Sequence, residues 1–292
     1  MRCVSIVAAF AASLCVAPAA LAQQAPPPAG RSAAPETETG SALEGDFLTI
    51  GAGVALTPSY EGSDDYDFNP FPVVTGSIGG IGISPRGAGL AFDIINDPDD
   101  ARVTFAFGPT ARLRTNRDGK VEDDVMELLP DLDTGVEVGP MAGIAVSGLL
   151  NPYDKLSLSG DVKWDVADAH GGMTIAPNLS YTTPLSRGIL AALSVGAEYA
   201  DDDFMEYYFS VSPADAAVTG LPVFEADGGF KSAGANLLVG IDFNGDLTDG
   251  GLAMFLVGGY SRLLGDAKDT PFTAIRGSAD QWIGGAGLAY TF

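Results

Sequence analysis

The stretch Gln281-Trp-Ile-Gly-Gly-Ala-Gly-Leu-Ala-Tyr-Thr-Phe292 decides how the rest of the chain is read. Counting back in twos from Phe292 gives Tyr290, Leu288, Ala286, Gly284 and Trp282. The opposite face carries Thr291, Ala289, Gly287, Gly285, Ile283 and Gln281. The first face suits lipid, and the second, Ile283 apart, suits a packed or wet lumen. A strand of about ten residues with period-two polarity and aromatic ends is long enough to cross the apolar layer of an outer membrane. The last strand of a soluble β-sandwich could alternate in the same way, so the remaining sequence must separate the two. Phe292, Tyr290 and Leu288 form the expected assembly signal for the barrel-insertion machinery.

Working outward, the composition favours strands: 38 glycines and 46% hydrophobic residues in 292 suit a β-rich chain better than a helical one. Residues 1–22 read as a signal peptide. Arg2 gives the positive end, Val4 to Val16 the apolar run, and Ala20-Leu21-Ala22 a small-x-small cleavage site. A lipidated cysteine would want a small residue before it, and Cys15 follows Leu14. Both cysteines, Cys3 and Cys15, fall inside that segment, so the exported chain would have neither disulfides nor thiolate metal sites. A net charge of −23 argues against a nucleic-acid partner. After residue 22 no stretch offers about 18 uninterrupted apolar residues, which leaves a closed barrel as the way across a bilayer.

Residues 23–44, with Pro26-Pro-Pro28 and Glu36-Thr-Glu38, are too poor in large apolar side chains to bury anything and read as a disordered periplasmic arm. From residue 45 to 292 the chain reads as one barrel domain. Leu48, Ile50, Ala52, Val54 and Leu56 alternate with small or polar partners, as do Val103, Phe105, Phe107 and Pro109. The clearest alternation sets Leu156, Leu158, Gly160, Val162, Trp164 and Val166 against Lys155, Ser157, Ser159, Asp161, Lys163 and Asp165. Further strands fit Thr134 to Leu149, Met173 to Thr183, Ile189 to Tyr199, Ala233 to Phe243 and Gly251 to Arg262. Between Phe71 and Ile95, Gly79-Gly80 and Pro85-Arg-Gly87 break the pattern into three short strands, for a total of twelve. If that region makes one strand, the total is ten.

Connection lengths favour twelve. Long connections are expected at Pro58 to Asn69, Thr115 to Asp133, Asp201 to Ser232 and Leu263 to Ala279. Short ones are expected at Asn96 to Asp100, Asn151 to Asp154, Pro184 to Gly188 and Asn244 to Gly250. With twelve strands and both ends in the periplasm, the long set falls on one side and the short set on the other, as in bacterial barrels. Asp168 to Gly172 is a short turn on the long side.

These loops carry a resemblance. Gly53-Val54, Pro58-Ser-Tyr-Glu-Gly-Ser-Asp-Asp-Tyr66, Tyr208-Phe-Ser-Val-Ser-Pro213, Gly220-Leu-Pro222, Gly228-Gly229, Leu263-Leu-Gly-Asp-Ala-Lys-Asp-Thr-Pro271 and Gly287-Leu-Ala-Tyr-Thr-Phe292 stand in the order found in the MipA/OmpV family. The chain resembles that family over about residues 45 to 292, with Ala-Lys-Asp-Thr where Ala-(Ala/Lys)-(Asp/Glu)-Ser is more usual. The family's name comes from MltA-interacting protein. The resemblance implies an outer-membrane barrel acting as an envelope scaffold or adaptor to peptidoglycan-remodelling enzymes, a role described for one member. It carries over no catalytic residue.

Chemistry beyond this is sparse. His170, the only histidine, lies at a strand end before Gly171-Gly172. As a catalytic base it would need a nucleophile and an orienting acid, and sequence places neither Ser180 nor Ser194 beside it, so a loop role is preferred. The acidic clusters Asp64-Asp65, Glu122-Asp-Asp124 and Asp201-Asp-Asp203 fall on expected outer loops facing lipopolysaccharide. They lack the spacing of a calcium loop and read as solvated surface, with no metal or cofactor expected. More informative is the inward set of Asp93, Arg102, Arg112, Glu137, Asp161, Lys163, Asp165, Glu198 and Asp242. These charges are expected either to pair across the lumen and close it or to line a narrow polar path for small solutes.

Overall fold

The computed structural model describes residues 45–98, 101–119 and 121–292, so the expected signal segment 1–22 and arm 23–44 lie outside the described residues. The strands are β1 (Phe47–Pro58), β2 (Tyr66–Ile78), β3 (Ile81–Pro85), β4 (Gly89–Asp93), β5 (Val103–Arg114), β6 (Gly135–Ser147), β7 (Lys155–Asp165), β8 (Met173–Ser186), β9 (Ile189–Ala200), β10 (Gly229–Asp242), β11 (Gly251–Leu263) and β12 (Asp280–Thr291). Each pairs antiparallel with its sequence neighbours, and β12 returns to β1 to close the ring. That seam runs from Thr49↔Thr291 to Leu56↔Gly284 and carries a hydroxyl-to-hydroxyl bond of 2.8 Å between Thr49 and Thr291. The molecule is a twelve-stranded transmembrane β-barrel, all-β apart from short loop helices.

The period-two pattern explains the wall. On β7, Leu158 (54% exposed) and Trp164 (46%) point outward, while Ser157, Ser159, Asp161 and Lys163 are buried inside. Two aromatic girdles bound the outward apolar band. Tyr260 with Trp282 and Tyr199 with Phe230 mark the loop end, at ring separations of 4.8 and 5.8 Å. Tyr290 with Phe292, 4.7 Å apart, marks the turn end.

The structure differs from the sequence reading mainly at β2. The connection expected to run from Pro58 to Asn69 ends at Asp65, because β2 already begins at Tyr66. The region from Phe71 to Ile95 therefore completes one strand of 13 residues and adds two of five. Pro70 and Pro72 disguised it, since proline lacks the N–H that a strand paired on both sides needs. Similarly, β10 begins at Gly229 rather than Ala233.

Apolar burial is concentrated over the loop end. α1 (Asp202–Phe209) starts where the Asp201 carboxylate accepts from the Phe204 N–H at 3.2 Å, and α2 (Pro213–Thr219) where Ser212 and Asp215 form a reciprocal cap. α1 buries Phe204, Met205, Tyr208 and Phe209 against Ala226, Leu263 and Ala267. Tyr60, Val121, Met126, Val211, Leu221 and Phe272 form a second cluster beside it. α3 (Gly265–Asp269) and α4 (Pro271–Ala274) contribute Ala267 and Phe272.

Candidate functional site

Beneath α1, six charges meet inside the loop end of the barrel. The β-ladder sets Arg112 of β5 opposite Glu137 of β6. Arg112 donates to Glu137 through Nε at 3.0 Å and again through Nη2, and to Glu198 of β9 at 2.8 Å. Arg114, two residues on and on the same face, reaches Glu137 at 2.8 Å, Glu198 at 2.7 Å and Glu61 at 2.9 Å. Lys231 of β10 completes the set with Glu61 at 2.7 Å and Glu198 at 3.0 Å. Three cations thus face three carboxylates from four strands and one loop.

The centre of this group is buried, while Glu61, Arg112 and Glu198 also border a cavity. Glu137 is fully buried and Lys231 2% exposed. The Phe204 ring caps both cations, 4.8 Å from the Arg114 guanidinium and 5.4 Å from the Lys231 ammonium. His170 stacks edge-on to Phe204 at 4.9 Å, accepts from the Gly172 N–H at Nδ1, and turns Nε2 toward Glu137 at 3.5 Å. Burial alone would raise the Glu61 carboxyl, but Lys231 and Arg114 beside it hold it below the ordinary glutamate range. Burial first of all pushes the Tyr208 hydroxyl well above the ordinary phenol range. Removing one partner from such a group costs about 3–5 kcal/mol, because it strands a buried charge.

Not all of the inward set takes part. Arg112, Glu137 and Glu198 join the group. Asp161 and Lys163 pair with each other lower in the lumen, where Arg86 lies 3.9 Å from Asp161. The other four serve the ends of strands. Asp93 accepts from the Ile95 and Phe107 N–H groups, and Asp242 from those of Asn244, Gly245 and Asp246. Asp165 caps the turn before β8, and Arg102 donates to the Gly148 carbonyl. Sequence reasoning missed Glu61, Arg114, Lys231 and Arg86. Arg114 was legible as the next inward position after Arg112; Lys231 was hidden by the late start given to β10, and Glu61 by its place in a loop.

The loops interlock above the charges. Arg276 bonds Asp123 at 2.8 Å, Thr270 donates to the Phe209 carbonyl at 2.6 Å, and the Asp227 N–H donates to Asp266 at 2.8 Å. The Glu61 N–H donates to Asn116 at 3.0 Å, and the Arg117 guanidinium lies 4.7 Å from the Phe272 ring. Below them two cavities of about 430 and 550 Å³ remain, both touching Arg112, Glu198 and Asn236.

Fold and site together define a class: a transmembrane β-barrel whose lumen is bolted by charge pairs and covered by its own loops. Residues 50–292 match the family described as "MltA-interacting protein MipA", and the chain belongs to that family. Two relatives, each named MltA-interacting protein, from Escherichia coli (strain K12) and Shigella flexneri, are 25% identical over 264 residues, covering 85% of this chain and 91% of theirs. Among solved structures, the COG4313 outer membrane channel from Pseudomonas putida F1 is similar at a TM-score of 0.44 and 14% identity, covering 88% of this chain and 99% of that one.

Proposed function

We propose that the protein is a non-enzymatic scaffold of the Gram-negative outer membrane, holding peptidoglycan-remodelling enzymes rather than conducting solutes. The observation that carries this reading is the plugged, charge-bolted lumen. A barrel that commits three ion-paired cations, two of them buried, and a helix to closing its loop end is built as a rigid platform. Support for the partner class comes from the name of the E. coli relative, which states an interaction with MltA. The two cavities favour a second reading, a narrow channel for small solutes opened by movement of the loops.

Planar-bilayer recording separates the two. The intact protein is expected to conduct little, and deletion of Ser212 to Gly229 to raise conductance by freeing α1 from its packing against Ala226. High steady conductance from the intact barrel would establish the channel reading. Affinity capture from envelope extracts supplies the complementary test: retention of a peptidoglycan-cleaving or -synthesising enzyme supports the scaffold, and its consistent absence removes it.

A further inference from the structure

The ring closes, yet among the described residues one of its ladders is much shorter than the strand that carries it. β2 registers with β3 only at Gly76, Ser77 and Ile78, whereas its other side pairs with β1 along its whole length from Tyr66. Among the described residues, the stretch Tyr66 to Thr75 therefore has no ladder on its β3 side. β3 and β4 are too short to supply one, since they end in the turn at Arg86 to Ala88, whose Ala88 carbonyl accepts from Leu113 of β5. β4 and its turn follow β5 up to Leu113, one residue short of the end of β5, so the unpaired edge above the turn belongs to β2. The gap is bridged at its top by Glu61, which bonds Asn116 and Arg114. What remains is a window, with Pro70 and Pro72 removing two N–H donors from the exposed edge.

The window lies within the apolar band. The Tyr66 hydroxyl accepts from the Trp282 N–H at 3.1 Å, which puts Tyr66 level with the loop-end girdle and the rest of the stretch below it. Asp67 and Asn69 register with the inward-facing Thr57 and Ala55 and yet are exposed, as an open wall requires. Unpaired backbone facing hydrocarbon costs several kcal/mol per group, so an opening at this depth must give onto polar surroundings.

The lumen behind it has two characters. On one side Phe71 and Val73 pack with Phe255 and Leu238, the two phenyl rings 5.8 Å apart and lying over Gly53 and Gly287. A Cβ at Gly53 would come within 3.1 Å of both rings, so glycine makes room for this shelf. On the other side the cavity of about 550 Å³ is lined by Ser157, Ser180, Ser194 and Asn178. Its charged lining is Arg86, Arg112 and Lys163 against Asp161 and Glu198, a local positive excess in a chain of net charge −23. Arg86, on the window's lower edge, is the most loosely held of these cations, 3.9 Å from Asp161 and 3.4 Å from the Ser159 hydroxyl.

We infer that the window admits a single-chain anionic amphiphile from the surrounding leaflet, its acyl chain against Phe71, Val73, Phe255 and Leu238 and its head group on Arg86. This rests on the strand register and the lumen lining, and stands independently of the scaffold reading. The polar cavity, which borders the shelf at Leu238, has a volume within the range of about 300–1,000 Å³ that small ligands occupy.

The test places a reporter on the shelf. Phe71→Trp, in a chain whose two tryptophans are changed by Trp164→Phe and Trp282→Phe, is reconstituted into bilayers and titrated with bromododecanoate. Quenching should saturate and be reversed by dodecanoate. Arg86→Gln should weaken dodecanoate about tenfold, the loss of one charge-assisted contact, while leaving dodecanol unchanged. Leu238→Asp should weaken both. A bulky maleimide adduct on Asn69→Cys, in the window, should slow the binding rate. Heat-modifiable gel mobility verifies that each variant is a folded barrel. The inference is overturned if quenching rises without saturation, as it would for an outward Leu158→Trp reporter, or if Arg86→Gln leaves the dodecanoate-to-dodecanol ratio unchanged. Binding that saturates while the Asn69 adduct leaves its rate untouched overturns the lateral route.

Discussion

Glu61 shows how one loop residue ties the plug to the wall. Its carboxylate faces Arg114 and Lys231, with Glu198 nearby, and is held below its ordinary value of about 4.5. A depressed folded-state value means stability that is fully present above that ordinary value and is lost as the pH falls through the lower, folded one. Acidification to progressively lower pH beneath the ordinary glutamate value should therefore release the loops of the wild-type barrel, read as rising conductance or protease cleavage near residues 59–65. Glu61→Gln should show a flatter acid response from a weaker start. A variant that tracked wild type through that range would mean that the Glu61 pairs contribute nothing to closure. Legibility at this scale was uneven. Arg112, Glu137 and Glu198 declared themselves by alternation, because a charge on the inner face of a strand must find a partner. Glu61 has no period to betray it, since a loop residue becomes a lumen residue only by folding back.

Among the elements, the long regular strands were legible because lipid outside and polar lumen inside write opposite chemistry on alternate residues. β7 is the best case, and it supports a direct test of the two faces. Leu158→Lys puts a charge into hydrocarbon near mid-strand, at about 2–4 kcal/mol, whereas Ser157→Lys points into the 550 Å³ cavity beside other polar side chains. Urea unfolding from vesicles should show the first loss and little of the second; equal losses would mean that the faces are assigned the wrong way round. β2 was illegible for an equally physical reason. Its prolines and Asn69 are poor residues for a strand paired on both sides and acceptable ones for a strand paired on one. Sequence rules written for complete sheets therefore read its first residues, up to Asn69, as loop and the rest as a short strand.

For the molecule as a whole, the seam is the decisive contact. The Phe292 N–H donates to the Leu48 carbonyl at 3.0 Å, and Leu288, Tyr290 and Phe292 continue the outward apolar row. We propose that this row directs insertion. Tyr290→Ser with Phe292→Ser should lower the amount of folded barrel in the membrane while leaving export untouched, measured by fractionation and heat-modifiable mobility. Normal levels of the double variant would dissociate the row from assembly. The seam also orders events in time. Eleven of the twelve strand pairings join sequence neighbours and can form as hairpins, but Thr49 and Thr291 are 242 positions apart. Closing so long a loop carries the largest entropic cost of any pairing in the ring, and until it closes both β1 and β12 present bare edges. Folding of this chain is thus a rapid accumulation of local hairpins followed by one slow step, and the chain is most vulnerable to aggregation in the interval between them.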